Sequence, residues 1–194
     1  MILHIIQARS TSKRLPNKIL QKIGDKTLLE WHLRNTKGIL DDTSHVIATP
    51  KNDPKIKEIK KIANGYGIKV HSPDCNDNDV LKRFVMVANE YGPEWIVRTT
   101  SDCIMSPYVI RRDIKVAVDN DMRLFDTFNE GSCVEVFKYS DLLRSDNELH
   151  RYGVQLADDL HREHVTSYFR KGFKKESIDT PEELEAARKR YGHN

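Results

Sequence analysis

Long apolar runs are missing from this sequence. The run nearest the start, Ile2 to Ile6, is followed at once by polar and charged residues. It is far short of the ~20 residues that cross a bilayer, so neither a membrane helix nor a secretory signal is expected. Cysteine is scarce too. Cys75, Cys103 and Cys133 are odd in number, widely separated and without CxxC spacing, which argues against a disulfide framework and against a zinc site. No charge of one sign dominates: 32 Lys and Arg against 29 Asp and Glu leave +3, so bulk charge does not indicate a nucleic-acid binder. Glycine forms neither the GxxxxGKS/T nor the GxGxxG phosphate loop. Internal repeats, low-complexity tracts and linkers are absent as well. What remains is an ordinary cytoplasmic chain of 194 residues, long enough for one sizeable core and expected to form a single domain, 1–194.

What is present is an alternation of short apolar runs and helical periods. Met1 to Ile6 reads as a strand buried on both faces. A helix is expected over Leu28 to Leu40, ending near Gly38, then strand His45 to Thr49, helix Pro54 to Tyr66 and strand Ile68 to His71. Asp79 to Tyr91 presents Val80, Leu81, Phe84, Val87 and Ala88 on one helical face. Strand Glu94 to Arg98 leads into Thr99-Thr100-Ser101-Asp102, and a helix follows over Tyr108 to Val118. Arg123 to Thr127 and Cys133 to Tyr139 read as antiparallel strands, and Tyr139 to Arg144 as a short helix. Beyond these, a helix is expected over Asp158 to Arg170, a strand over Glu176 to Ile178 and a helix over Pro181 to Tyr191. Such alternation predicts a three-layer α/β/α sandwich around a mostly parallel mixed sheet. Ligands then bind beyond the C-terminal strand ends, which singles out the loops after the first and fourth strands.

The first of these loops is rich in positive charge. Arg9, Lys13, Arg14, Lys18, Lys22 and Lys26 face a single acid, Asp25, in the stretch from Arg9 to Lys26. Ala8, Ser10 and Ser12 let backbone amides approach an anion closely, and Pro16 stiffens the return of the chain. Two readings stand side by side: a polyphosphate cradle, or a basic strand-to-helix loop facing solvent.

Several strings in this sequence, in order, resemble the cytidylyltransferases. The first is Gln7-Ala8-Arg9-x-x-Ser12-x-Arg14-Leu15-Pro16-x-Lys18 with Gly24 and Leu28-Leu29 behind it. Asp79-Val80-Leu81-x-Arg83-Phe84, Val97-Arg98-x-Thr100-Ser101-Asp102-Cys103, Glu163-His164-Val165-Thr166 and Ile178-Asp179-Thr180-Pro181-Glu182-Glu183-Leu184 follow. The set is similar to the CMP-ulosonate and CMP-sialate synthetases, and most of all to the spore coat polysaccharide biosynthesis protein F group. The resemblance implies a Rossmann-like nucleotide-diphospho-sugar transferase fold. It also implies an enzyme that transfers CMP from CTP to a sugar or sugar acid, releasing pyrophosphate, with a homodimer among the expected assemblies. A glycosyltransferase, another nucleotidyltransferase of the same fold and a noncatalytic nucleotide-binding protein are the alternatives.

Residue roles follow from the same resemblance. Arg9, Arg14 and Lys18 are expected to grip phosphates as the catalytic set. Gln7, Ala8 and Ser12 line the nucleotide, and Asp79 and Arg83 belong to its pocket or form an i,i+4 ion pair on a helix. Asp102 and Asp179 are expected to hold Mg2+, an ion that takes hard oxygen ligands from one or two carboxylates plus phosphates. The competing roles are a loop-start carboxylate for Asp102 and a helix N-cap for Asp179. Glu135 contacts sugar or faces solvent, and His164 is read as structural rather than as an acid–base group. The sequence departs from the family pattern at Ser101, where the family has Gly, at Ile104-Met105 in place of Pro-Leu, and at Cys133 in place of an acid.

Overall fold

The computed structural model describes residues 1–39, 43–122, 124–126, 133–151, 165 and 180–191. Six strands form the main sheet: β1 (Ile2–Gln7), β4 (Thr43–Ala48), β5 (Lys69–His71), β6 (Trp95–Thr100), β7 (Leu124–Asp126) and β8 (Glu135–Lys138). A hairpin of β2 (Lys22–Ile23) and β3 (Lys26–Thr27) stands apart, turning at Gly24, whose φ of 65° suits glycine. The helices are α1 (Leu28–Thr36), α2 (Ile56–Gly65), α3 (Val80–Asn89), α4 (Pro107–Asp119), α5 (Tyr139–Arg151) and α6 (Pro181–Tyr191). The strand order is β5-β4-β1-β6-β8-β7. The first four run parallel, while β8 is antiparallel to β6 and to β7.

This is the expected three-layer α/β/α sandwich. On one sheet face Leu3, Ile5, Val46, Ile96 and Phe137 pack beneath α3 and α5, with Phe84 and Leu142 fully buried among them. On the other, Ile6 and Ile47 pack under α1 and α2, and Val97 and Val136 under α4. Burying each such side chain is worth about 1.5–3 kcal/mol, and strict alternation of side-chain direction along each strand sorts them to the two faces.

Local signals set the helix starts. Thr27 and Glu30 form a capping box: the Glu30 amide donates to Thr27 Oγ1 (3.2 Å) and the Thr27 amide to the Glu30 carboxylate (2.6 Å). Pro107 occupies the first turn of α4, where its missing N–H costs nothing. The helix α1 ends at Thr36, earlier than Leu40, because Gly38 turns the chain at φ 69°. Strand β6 runs two residues past Arg98, so Thr99 and Thr100 belong to the sheet. The helix α5 extends to Arg151 rather than stopping at Arg144. The expected helix Asp158 to Arg170 and strand Glu176 to Ile178 lie outside the described residues.

One expectation is overturned. Cys103 and Cys133 form a disulfide, with Cα atoms 6.4 Å apart, and Cys75 is the free cysteine. Sequence spacing hides this pair because the sheet makes it. The β6–β8 register ends at Arg98 opposite Glu135, and the chain two residues before Glu135 comes level with the end of β6. Closing a loop of about 30 residues contributes ~3–4 kcal/mol in the chain-entropy account.

Candidate active site

Strand order reverses beside β1: the chain moves outward through β4 and β5, then returns to β6 on the other side. The C-terminal ends of β1 and β6 therefore border the crevice where open α/β sheets bind ligands. Gln7 ends β1 and Thr100 ends β6, paired in register. The loops that follow carry Arg9 to Lys18 and Ser101 to Met105.

Across this crevice Lys18 and Asp102 meet. The Lys18 ammonium pairs with Asp102 Oδ2, and both side chains are largely buried, at 10% and 13% exposure. Lys18 is delivered by a short 3-10 turn, Lys18–Leu20, which starts after Asn17 in the left-handed region at φ 54°. Asn17 and Ser12 both donate their backbone N–H to the Ser10 carbonyl (3.1 and 3.0 Å), so the loop folds back on Ser10.

Ser10 is itself anchored from below. Its amide and hydroxyl donate to the two Asp53 oxygens at 2.7 and 2.6 Å, and the Lys55 amide adds a third bond at 2.9 Å. Asp53 and Ser10 are both buried, which makes this carboxylate the clamp on the loop. Asp53 escaped the sequence reading. Asn52-Asp53-Pro54 before a helix suggests only local capping, and the reach to Ser10 spans 43 residues.

The other expected residues are placed as follows. Gln7 Oε1 accepts from Arg98 Nε (3.1 Å) and Nη2 (2.7 Å), while Arg98 Nη1 donates to Glu135 (2.5 Å). Glu135 is 1% exposed; it faces neither solvent nor open crevice, because its β8 position points at Arg98. Ala8 is buried, and its amide donates to Ala48. Ser12 Oγ accepts from the Leu15 amide (3.3 Å). Arg9 is half-buried and Arg14 exposed. Asp79 caps α3 by accepting from the Lys82 amide (2.9 Å). Arg83 is no surface residue: it is 1% exposed and donates to the Asp77 carbonyl (2.6 Å). Burial holds its pKa below the usual guanidinium value, and Arg9 nearby adds to that shift. Arg83 Nε, Asp77 Oδ1 and Thr49 Oγ1 are buried without a hydrogen-bond partner among the described residues. Asp179 and His164 lie outside the described residues. The helix that follows Asp179 is placed, with Leu184 packing in one cluster with Leu15, Ile23, Leu28 and Trp31.

The family profile described as cytidylyltransferase matches residues 3–193. The chain belongs to the cytidylyltransferase family. Spore coat polysaccharide biosynthesis protein SpsF of Bacillus subtilis is 30% identical over 196 aligned residues, covering 95% of this chain and 78% of that protein. The 3-deoxy-manno-octulosonate cytidylyltransferase of Leptospira interrogans serogroup Icterohaemorrhagiae serovar Lai is 35% identical over 96 residues, half of this chain and 37% of its own length. Among solved structures, a cytidylyltransferase from Leptospira borgpetersenii superposes with a TM-score of 0.74 at 25% identity, over 96% of this chain and 84% of that one.

This cytidylyltransferase also carries a buried histidine network beneath the site. His4 Nδ1 lies 3.0 Å from His45 Nδ1, and His4 Nε2 lies 2.7 Å from Thr99 Oγ1. Burial, with His45 and His32 as further positive neighbours, holds the His4 pKa well below its usual value; burial lowers His45 too. The unfolded chain titrates these rings near pH ~6.5. Between that value and the depressed folded one, only the unfolded state binds the proton. Stability is therefore full above pH ~6.5 and lost as pH falls toward the folded value, by up to ~1.4 kcal/mol per pH unit for each ring. Urea unfolding at pH 7.5 and 5.5 is expected to show this loss, and a His4→Gln variant to reduce the slope by one proton.

Proposed function

We propose that this enzyme transfers the cytidylyl group of CTP to a hydroxyl of a sugar or sugar acid and releases pyrophosphate. The observation that carries the proposal is the pairing of Lys18 with Asp102 at the strand-switch crevice. A phosphate-binding cation and a metal-binding carboxylate belong at that place in a nucleotidyltransferase. Lys18, Arg9 and Arg14 supply charge for the triphosphate, and Ser10, clamped by Asp53, sets the loop's backbone.

Among the described residues no cluster of three or more His, Cys, Asp or Glu side chains could enclose a metal. That donor set still fits Mg2+, which keeps waters and phosphate oxygens and needs only one or two carboxylates. Asp102 would hold it, with Asp179 as the proposed second carboxylate. When bound, the ion supplies charge stabilisation at the α-phosphate and the leaving pyrophosphate. Lys18 and the arginines hold the phosphate chain in line with the acceptor hydroxyl. The curated relatives act in polysaccharide biosynthesis and on 3-deoxy-manno-octulosonate by name, which favours a sugar-acid or related acceptor for surface glycan synthesis.

Calorimetry tests the reading: CTP is expected to bind only with Mg2+, more tightly than GTP or UTP, and acceptor addition to release pyrophosphate. Absence of Mg2+-dependent CTP binding overturns it. CTP binding without pyrophosphate release across a broad acceptor panel favours a noncatalytic role, a reading that the Cys133 substitution at an acidic family position supports.

A further inference from the structure

The loop bearing Asp102 is held by one face of α1. His32 Nδ1 lies 2.9 Å from the Cys103 carbonyl oxygen, and Asn35 Nδ2 donates to the Met105 carbonyl at 2.9 Å. His32 and Asn35 are three residues apart, so they project from the same side of the helix. His32 Nε2 lies 2.9 Å from Thr99 Oγ1, the same hydroxyl that His4 Nε2 touches. Four side chains therefore form one line, His45–His4–Thr99–His32, ending on the residue next to Asp102. His4, Thr99 and His32 are at most 1% exposed.

The end of the line fixes its protons. A carbonyl oxygen only accepts, so His32 Nδ1 carries hydrogen. If the ring is neutral, Nε2 then has a lone pair, to which the Thr99 hydroxyl donates. That hydroxyl accepts in turn from His4 Nε2–H, which leaves His4 Nδ1 to accept from His45 Nδ1–H. All four bonds point the same way, and aligned bonds reinforce one another.

We propose that His32 is a positioning residue for Asp102, holding the loop after β6 through the Cys103 carbonyl, with its tautomer set by the Thr99–His4–His45 relay. The proposal rests on the reading of Asp102 as a group that acts in nucleotidyl transfer. A carboxylate displaced by about 1 Å loses on the order of 100-fold in rate.

Long-range proton–nitrogen NMR of the unliganded protein at pH 7.5 tests the relay directly. It is expected to show neutral rings with hydrogen on Nδ1 of His32, Nε2 of His4 and Nδ1 of His45. An imidazolium at His32, or hydrogen on its Nε2 alone, overturns the proposal. His32→Phe, folded by circular dichroism, is expected to lower kcat by about 10- to 100-fold while the KM for CTP stays within about twofold. His32→Asn, whose amide nitrogen stands near the place of Nδ1, is expected to recover most of the loss. A His32→Phe enzyme with undiminished kcat, or an Asn variant no better than Phe, overturns the proposal as well. The two failures are distinguishable. If CTP is not the substrate, wild-type protein lacks turnover while the NMR tautomers still decide the relay; if the latch is wrong, wild-type turnover survives His32→Phe.

Discussion

Asp102→Asn is expected to lower kcat for pyrophosphate release by a thousandfold or more, about 4 kcal/mol of barrier, with the fold intact. Asp102 lies just beyond the end of β6, beside the switch point, and its carboxylate is already matched to a cation, the Lys18 ammonium. An amide keeps the shape and can still accept from Lys18, so the fold should hold. The largely buried ammonium loses its counter-charge, however, so the melting temperature should fall by several degrees, on the order of ~2–4 °C per kcal/mol lost. The substitution also removes the negative charge from the metal's side, and a neutral amide oxygen is a poor substitute for carboxylate at Mg2+. The transition state for attack at the α-phosphate gathers negative charge on the phosphoryl oxygens, and the loss falls there. Steady-state kinetics at saturating CTP, with Mg2+ titrated, provides the check. The variant should need far more Mg2+ and never reach wild-type kcat; retention of more than a tenth of the rate would remove Asp102 from the proposed mechanism.

Glu135→Ala is expected to have the largest effect on stability, a loss of about 3–5 kcal/mol. Glu135 and Arg98 are buried at 1% and 5% exposure, and their ion pair is shared with Gln7 Oε1. Among the described residues, alanine leaves the guanidinium inside with the neutral amide oxygen of Gln7 as its partner, and desolvation of that charge is then poorly compensated. At ~2–4 °C per kcal/mol for a chain of this size, the melting temperature should drop by about 6–20 °C. Removing both charges in Arg98→Met/Glu135→Leu should restore much of the loss, because a buried ion pair gains little over apolar side chains that fill the same space. Thermal and urea unfolding of the single and double variants make the comparison. Equal destabilisation of the two would mean that packing, not charge, is what Glu135 supplies.

Some groups of the candidate site carry its charge, and others only hold the loop that carries it. Asp53 illustrates the division. It touches no proposed phosphate ligand side chain, yet it holds Ser10, around which the loop to Lys18 folds.

Much of this arrangement was legible in the residues alone. The alternation of β-branched runs with amphipathic helices sufficed for the three-layer sandwich, since a strand with two apolar faces requires a cover on each. The helix starts expected at Leu28 and Tyr108 fall within one residue of those observed, since local bonds such as the Thr27–Glu30 capping box set them. The basic loop and the acidic residue after β6 were recognisable because their spacing is local. The partners of the buried polar groups were not. Lys18 finds Asp102 across 84 residues, Ser10 finds Asp53 across 43, and Arg98 finds Glu135 across 37.

For the same reason Cys103 and Cys133 read as unrelated thiols, and Glu135 as a residue for sugar or solvent. The order of strands decides which side chains adjoin, and that order follows from packing the whole sheet at once. By itself the sequence determined most of the described strands and helices, though not the β2–β3 hairpin, together with their apolar faces and the two loops proposed to carry the chemistry. Only the tertiary structure decided what each charged group meets, because a buried charge is satisfied by the neighbour that the sheet supplies, however distant along the chain.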